Sequence, residues 1–289
     1  MVIFVVALIA TSWTVQILAI ILSRKKAAAQ SEPLPIREYL SPKLVMLTML
    51  TPSILLFIFI GLGYIPLDWD MLGVSSPSFF GVALGVAVPI AYTAVAFLVL
   101  RRFSDLKNFS KDKDGRWKLE GISTILDKFF PPPKKPIVYL LDIFISVIVM
   151  SVFLLPLALG EELIWRGYLQ TNFIEQFGAY GILLIGLIWG FWHLPLNLVG
   201  YNAPEIPKLN SFVFFIIHTV AMSAVFGWLV LVTGSIWVAV IAHAANNVLE
   251  GLLHGFLSPR INPIKYKSIE IFVYTVFGIV AFLWIFLSL

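Results

Sequence analysis

The sequence predicts an all-α polytopic membrane protein of about eight transmembrane helices, with its catalytic site inside the helix bundle. Three observations carry this. The mean hydropathy is +0.94, and 60% of residues are hydrophobic against 12% charged, where soluble domains carry about 25% charged residues. Eight apolar segments approach the roughly 20 residues that a bilayer-spanning helix needs, at 2–22, 44–64, 79–100, 138–160, 179–199, 211–232, 235–256 and 269–288. Five ionisable groups, Glu161, Glu162, Arg166, His193 and His243, lie in the apolar second half. At membrane depth each is costly, by about 2.5–3.5 kcal/mol on insertion scales, and such residues are rare without a function.

The first segment lacks a basic region before it and carries Ser23-Arg24-Lys25-Lys26 after it. A cleavable signal has the opposite layout, so a retained anchor is expected. Loop 23–43 carries five Lys or Arg, loop 101–137 ten, and loop 257–268 three, while Lys208 follows the fifth segment. If eight segments alternate, these loops share one side, and Arg166 alone of the twenty basic residues falls on the other. By the positive-inside rule both termini lie outside and the basic loops in the cytoplasm. The long third loop is expected to hold a short amphipathic surface helix, closed by Pro131-Pro132-Pro133. Residues 138–177 are too long for one span, and Pro156 is expected to kink the helix. The piece 157–177 then re-enters the bundle as a separate helix. The chain divides into N-terminal helices with basic loops, 1–136, and a helix-bundle core, 137–289, within one integrated membrane domain.

The pI of about 9.2 does not imply nucleic acid, because the positive charge sits in loops between apolar segments, where it meets anionic lipid. There are no cysteines, which excludes disulfides, thiolate metal sites and a cysteine nucleophile.

Glu162 and Arg166 are i and i+4 on a helix and can pair. Glu161 is rotated about 100° away, so it is left for other work. An unpaired carboxylate in a desolvated setting suits a general base near neutral pH; a helix simply leaving the membrane is the alternative. His193 lies in Trp189-Gly190-Phe191-Trp192-His193-Leu194-Pro195, where a hydrogen-bonded core histidine is the bland account. His243 and Asn247 share a face at i, i+4, with interhelical polar glue as their bland account. Taken together, a Glu, an Arg, two His and an Asn on three apolar segments point to a catalytic constellation. The face extends to Glu250 and His254, as a polar cavity wall or, for His254, as a headgroup contact. His218 and Asp142 read as structural, Asn197 as a residue orienting His193, and Asn246 as pointing away from the face of His243.

Three pieces carry a family resemblance: Glu-Glu-x-x-x-Arg at 161–166, aromatic-x-x-x-His from Trp189 to His193, and His-x-x-x-Asn from His243 to Asn247. With Arg166-Gly167-Tyr168-Leu169 and Gly234-Ser235-Ile236-Trp237 around them, residues 150–250 resemble the CAAX prenyl protease and bacteriocin-processing family, also called the abortive-infection family. Trp189 departs from the Phe more often found there. The resemblance implies a metal-independent intramembrane glutamate protease with no cofactor. In it, Glu161 activates a water with help from His193, His243 and Asn247 donate to the oxyanion, and Glu162 and Arg166 orient the site. The implied partners are prenylated or other membrane-associated peptide substrates and membrane lipids. The expected location is the plasma membrane in a prokaryote, or the endoplasmic reticulum in a eukaryote.

Two other readings use the same residues. Two His and a Glu make a plausible zinc set, but no His-Glu-x-x-His helix is present. A transporter or scaffold needs only the buried polar cluster, but no inverted repeat accompanies it.

Overall fold

In lipid the backbone must satisfy its own hydrogen bonds, and a helix does so within one segment. The computed structural model, which describes residues 1–31, 35–119 and 133–289, is accordingly nearly all helix. Its long helices are α1 (Val2–Ala28), α2 (Pro42–Gly61), α3 (Phe79–Leu100), α4 (Pro136–Glu162), α8 (Lys208–Thr233), α9 (Ile236–Phe256) and α10 (Pro263–Ser288). Between α4 and α8 lie α5 (Gln170–Phe177), α6 (Tyr180–Trp192) and α7 (Leu194–Leu198). Among the described residues seven helical runs are long and apolar enough to cross a membrane, and Tyr180–Trp192 is a shorter apolar one. The protein is therefore an integral, multi-pass membrane protein.

The boundaries follow local chemistry. Pro42, Pro136 and Pro263 open α2, α4 and α10, where a missing N–H leaves nothing unsatisfied. Ser78 Oγ accepts from the Gly81 N–H to cap α3, and Asn262 Oδ1 accepts from Ile264 N–H to cap α10. Gly234, at φ 69°, ends α8 in the left-handed region that glycine enters freely.

Two sequence expectations are corrected. Pro156 lies inside α4 without breaking it. The chain stays helical for 42 residues, Pro136–Phe177, through a π-helical stretch at Leu163–Leu169, and its end is the amphipathic α5 rather than a re-entrant helix. Up to residue 119 the third loop carries three short strands, β1 (Ser104–Leu106), β2 (Phe109–Lys111) and β3 (Trp117–Leu119). Its remaining stretch, where the amphipathic surface helix closed by the prolines is expected, lies outside the described residues. The fifth segment divides at His193, between α6 and α7.

Contacts sort the loops into two ends. At one end β1 pairs antiparallel with β4 (Leu257–Pro259), and Arg24 of α1 shares a groove with Gly200 and Lys208. At the other, the Ile236 N–H donates to Gly73 O, Thr171 Oγ1 donates to Met71 O, and Gln176 reaches the Met1 sulfur. The basic loops thus gather at one end, as the alternation of segments requires. Helices α8 and α9 form the centre, each with 56% of its most apolar window buried against 22–33% for the other long runs. Close backbone approach lets α10 pack on α8: a Cβ at Gly278 would lie 2.6 Å from the Ala221 Cα.

Candidate active site

The two glutamates occupy the last turn of α4, where the π stretch begins. Both are almost fully buried, so neither ends in solvent. Arg166 Nη1 lies 3.1 Å from Glu162 Oε2 and donates to Oε1 at 3.3 Å. Of these, the Oε1 contact has hydrogen-bond alignment, and the Oε2 contact is an ion-pair approach. Glu162 Oε1 also receives the Nδ1 of His243, 2.7 Å away on α9. One carboxylate therefore joins α4 to the central helix and to an arginine. The guanidinium lies between the rings of Trp189 and Phe226, 4.9 and 5.2 Å from their centres. This is a cation–π arrangement that helps a buried cation with two unpaired nitrogens, Nε and Nη2.

Glu161 differs from the sequence expectation. It was read as unpaired, yet its Oε2 accepts from two indoles, Trp189 Nε1 at 2.8 Å and Trp165 Nε1 at 3.3 Å. Trp165 is i+4 from Glu161, so helical spacing offered that partner. Trp189 comes from α6 and was legible only as an aromatic before His193. Among the described residues the other oxygen, Oε1, takes part in no protein hydrogen bond, and Glu161 lines a cavity of about 710 Å³.

His193 lines the same cavity, as do His243 and Asn247. The structure thus brings five of the six sequence candidates to one cavity or into contact with its lining, and Arg166 supports them from behind through Glu162. The His193 Nδ1 lies 3.0 Å from the Trp189 carbonyl. A carbonyl only accepts, so Nδ1 carries the proton and Nε2 is the free ring nitrogen. The Asn197 amide donates to the backbone oxygen of His193; it fixes the chain at the α6–α7 break and does not orient the ring. Asn246 is held by the Tyr92 hydroxyl at 2.7 Å, and its amide reaches toward Asn247 Oδ1 at 3.4 Å.

The cavity continues past Asn246 and Asn247 to Glu250, Gly251 and Lys267, and is bordered by Tyr201, Asn202 and Ala203 of the loop at the basic end. The site is therefore reached from the basic side along a polar wall of α9, and no re-entrant helix is needed. His218, read as structural, also lines this space. His254, read as a headgroup contact, instead meets buried Glu270 at 3.2 Å. Asp142 is buried in α4, with Ser146 donating to it at 3.4 Å, away from the cavity.

Fold and site together define a multi-pass helical membrane protein with a carboxylate–histidine cluster at the inner end of a polar cavity. Residues 142–249, which contain the whole cluster, match a family model described as type II CAAX prenyl endopeptidase Rce1-like. Over these residues, 108 of the 289, the chain is similar to that family. A comparison with curated proteins returns no match.

Proposed function

We propose that the protein is a metal-independent glutamate endopeptidase that hydrolyses a peptide bond near the C-terminus of prenylated or other membrane-associated substrates. The observation that carries this reading is the asymmetry of Glu161: one oxygen is held by two indoles while the other accepts from no donor among the described residues, beside a cavity that Glu161 and His193 both line. A water between them gives a proton to Glu161 Oε1, with the free Nε2 of His193 accepting its second hydrogen bond. The oxygen then adds to the substrate carbonyl carbon. His243, whose Nδ1 is committed to Glu162, donates from Nε2 in its doubly protonated form, and the Asn247 amide donates beside it, so that the tetrahedral oxyanion meets fixed dipoles. The C–N bond breaks as Glu161 returns its proton to the leaving amine.

Two further features support the reading. On one side the cavity has an apolar wall, with Met46 and Met49 from α2 and Leu154 and Leu157 from α4, which suits a lipid tail entering from the bilayer. The metal alternative has weaker support: among the described residues the group whose ligand atoms converge within 4.8 Å is Glu250, His254 and Glu270, not Glu161 with the two site histidines.

The test is cleavage of a fluorogenic farnesylated C-terminal peptide and its unprenylated twin by detergent-solubilised protein. Wild type, Glu161→Ala and a strongly chelated sample run side by side. The expected result is prenyl-dependent cleavage, lost in the variant and unchanged by chelator. Loss on chelation that added zinc reverses overturns the metal-independent reading, and full activity of Glu161→Ala overturns the role of that residue.

A further inference from the structure

A second cavity lies apart from the proposed site, and the mechanism uses none of its residues. It is a groove of about 1060 Å³, larger than most small-molecule sites at about 300–1,000 Å³. One wall is a single face of α1: Trp13, Ile17, Ile20, Ile21 and Arg24 line it, at the i, i+3 and i+4 steps that stack along a helix. The facing wall is α7 and the loop after it, through Leu194, Leu198 and Pro204. Apart from Arg24 and Lys208, every residue lining the groove is apolar. Lys208 opens α8, whose N-terminus no side chain caps, so the ammonium and the helix end add their positive charge.

That charge is unmatched. No carboxylate lines the groove, and among the described residues neither the Arg24 nor the Lys208 side chain makes an ion pair or hydrogen bond within the protein. The depth is also specific. Arg24 lies eleven residues beyond Trp13 on α1, about 16 Å at 1.5 Å per residue. Half of the bilayer's hydrocarbon core is about 15 Å. The groove therefore runs from the headgroup level at the basic end to about the bilayer middle, the span of one leaflet. A free anion would meet the two cations and leave the apolar length empty. A neutral lipid would cover the apolar length and leave the cations unmatched. An anionic phospholipid satisfies both.

We propose that the groove holds one anionic phospholipid of the leaflet on the basic side, with its phosphate at Arg24 and Lys208 and an acyl chain laid along α1 to Trp13. The seat takes a single molecule, unlike the general attraction of basic loops for anionic lipid. Helix α7 is shared between the two cavities: Leu194 and Leu198 line the groove, while Leu196 and the preceding His193 line the cavity with Glu161. The bound lipid therefore braces the element that presents His193, whatever reaction the site performs.

The experiment is native mass spectrometry of the full chain, delipidated in detergent and titrated with phosphatidylglycerol or with phosphatidylcholine of the same acyl chains. Wild type is expected to bind one phosphatidylglycerol with a Kd at least about tenfold below that for phosphatidylcholine, since each nearby basic residue adds to the attraction for anionic lipid. Arg24→Gln/Lys208→Gln changes two exposed side chains and is expected to lose the preference. Lys25→Gln/Lys26→Gln neutralises the neighbouring cations of α1 that do not line the groove, and is expected to keep it. Leu198→Trp fills the apolar length and is expected to weaken phosphatidylglycerol binding. Equal affinity for the two lipids in wild type overturns the inference. A preference lost equally in Lys25→Gln/Lys26→Gln shows diffuse surface charge and overturns the seat at Arg24 and Lys208. Unchanged binding by Leu198→Trp, or displacement of the lipid by glycerol phosphate at a similar concentration, overturns the part given to the apolar groove.

Discussion

The indole of Trp189 donates to Glu161 Oε2 at 2.8 Å, while its backbone carbonyl accepts from His193 Nδ1 at 3.0 Å. One residue of α6 thus orients both the carboxylate and the imidazole of the proposed water-activating pair. Trp189→Phe keeps the ring against Arg166 and the carbonyl on His193, and removes only the indole donor. A hydrogen bond to a charged group contributes about 1.5–3 kcal/mol, so kcat/KM should fall about tenfold or somewhat more. A variant as inactive as Glu161→Ala would show that Trp189 does more than orient.

Glu161→Gln separates chemistry from folding. The amide oxygen can still accept from Trp165 and Trp189, so the thermal midpoint in detergent should hold. General base catalysis supplies about 10²–10⁴-fold, and cleavage should fall by that much. Retained cleavage with an unchanged midpoint would remove Glu161 from the mechanism.

Glu162 should behave differently, because it holds two neighbours. Glu162→Ala leaves a buried guanidinium and His243 without their acceptor, and breaking such a pair costs about 3–5 kcal/mol. Stability and activity should fall together. With Arg166→Met the double variant should recover part of the loss, giving a coupling energy of about 0.5–3 kcal/mol. Additive losses in denaturation would show that the two side chains do not interact.

Gly160 tests the seat of the site. A Cβ there would lie 2.9 Å from the Met49 carbonyl oxygen and from Leu50 Cδ2 on α2, and Ser53 Oγ donates to the Gly160 carbonyl. Gly160→Val must push α2 and α4 apart beside Glu161. Overpacking of this kind costs about 1–3 kcal/mol, so a lower midpoint and reduced activity are expected. An unchanged midpoint would mean that α2 yields freely.

The sequence carried the membrane class, the positions of the apolar runs and the candidate residues, because hydropathy and i, i+4 spacing are local properties. It also sorted the basic loops to one end, since charge placement is written along the chain. Pro156 misled the reading of 138–177. A proline removes one helical hydrogen bond, but neighbouring helices that pack the turn keep the run continuous. Lys267 was misplaced for a related reason: α10 starts at an Asn–Pro cap six residues before its apolar run, and hydropathy does not register a cap.

What the sequence determined by itself was that Glu162 and Arg166 pair, because four residues on a helix put them together whatever surrounds the helix. Only the tertiary structure decided that Glu161 is held by Trp189, that Glu162 also holds His243, and that the cavity runs along α9 from His243 to Lys267. Each of these depends on how α4, α6, α9 and α10 lie against one another. Interhelical packing is set by shape and close approach across many side chains, which no spacing along one segment records.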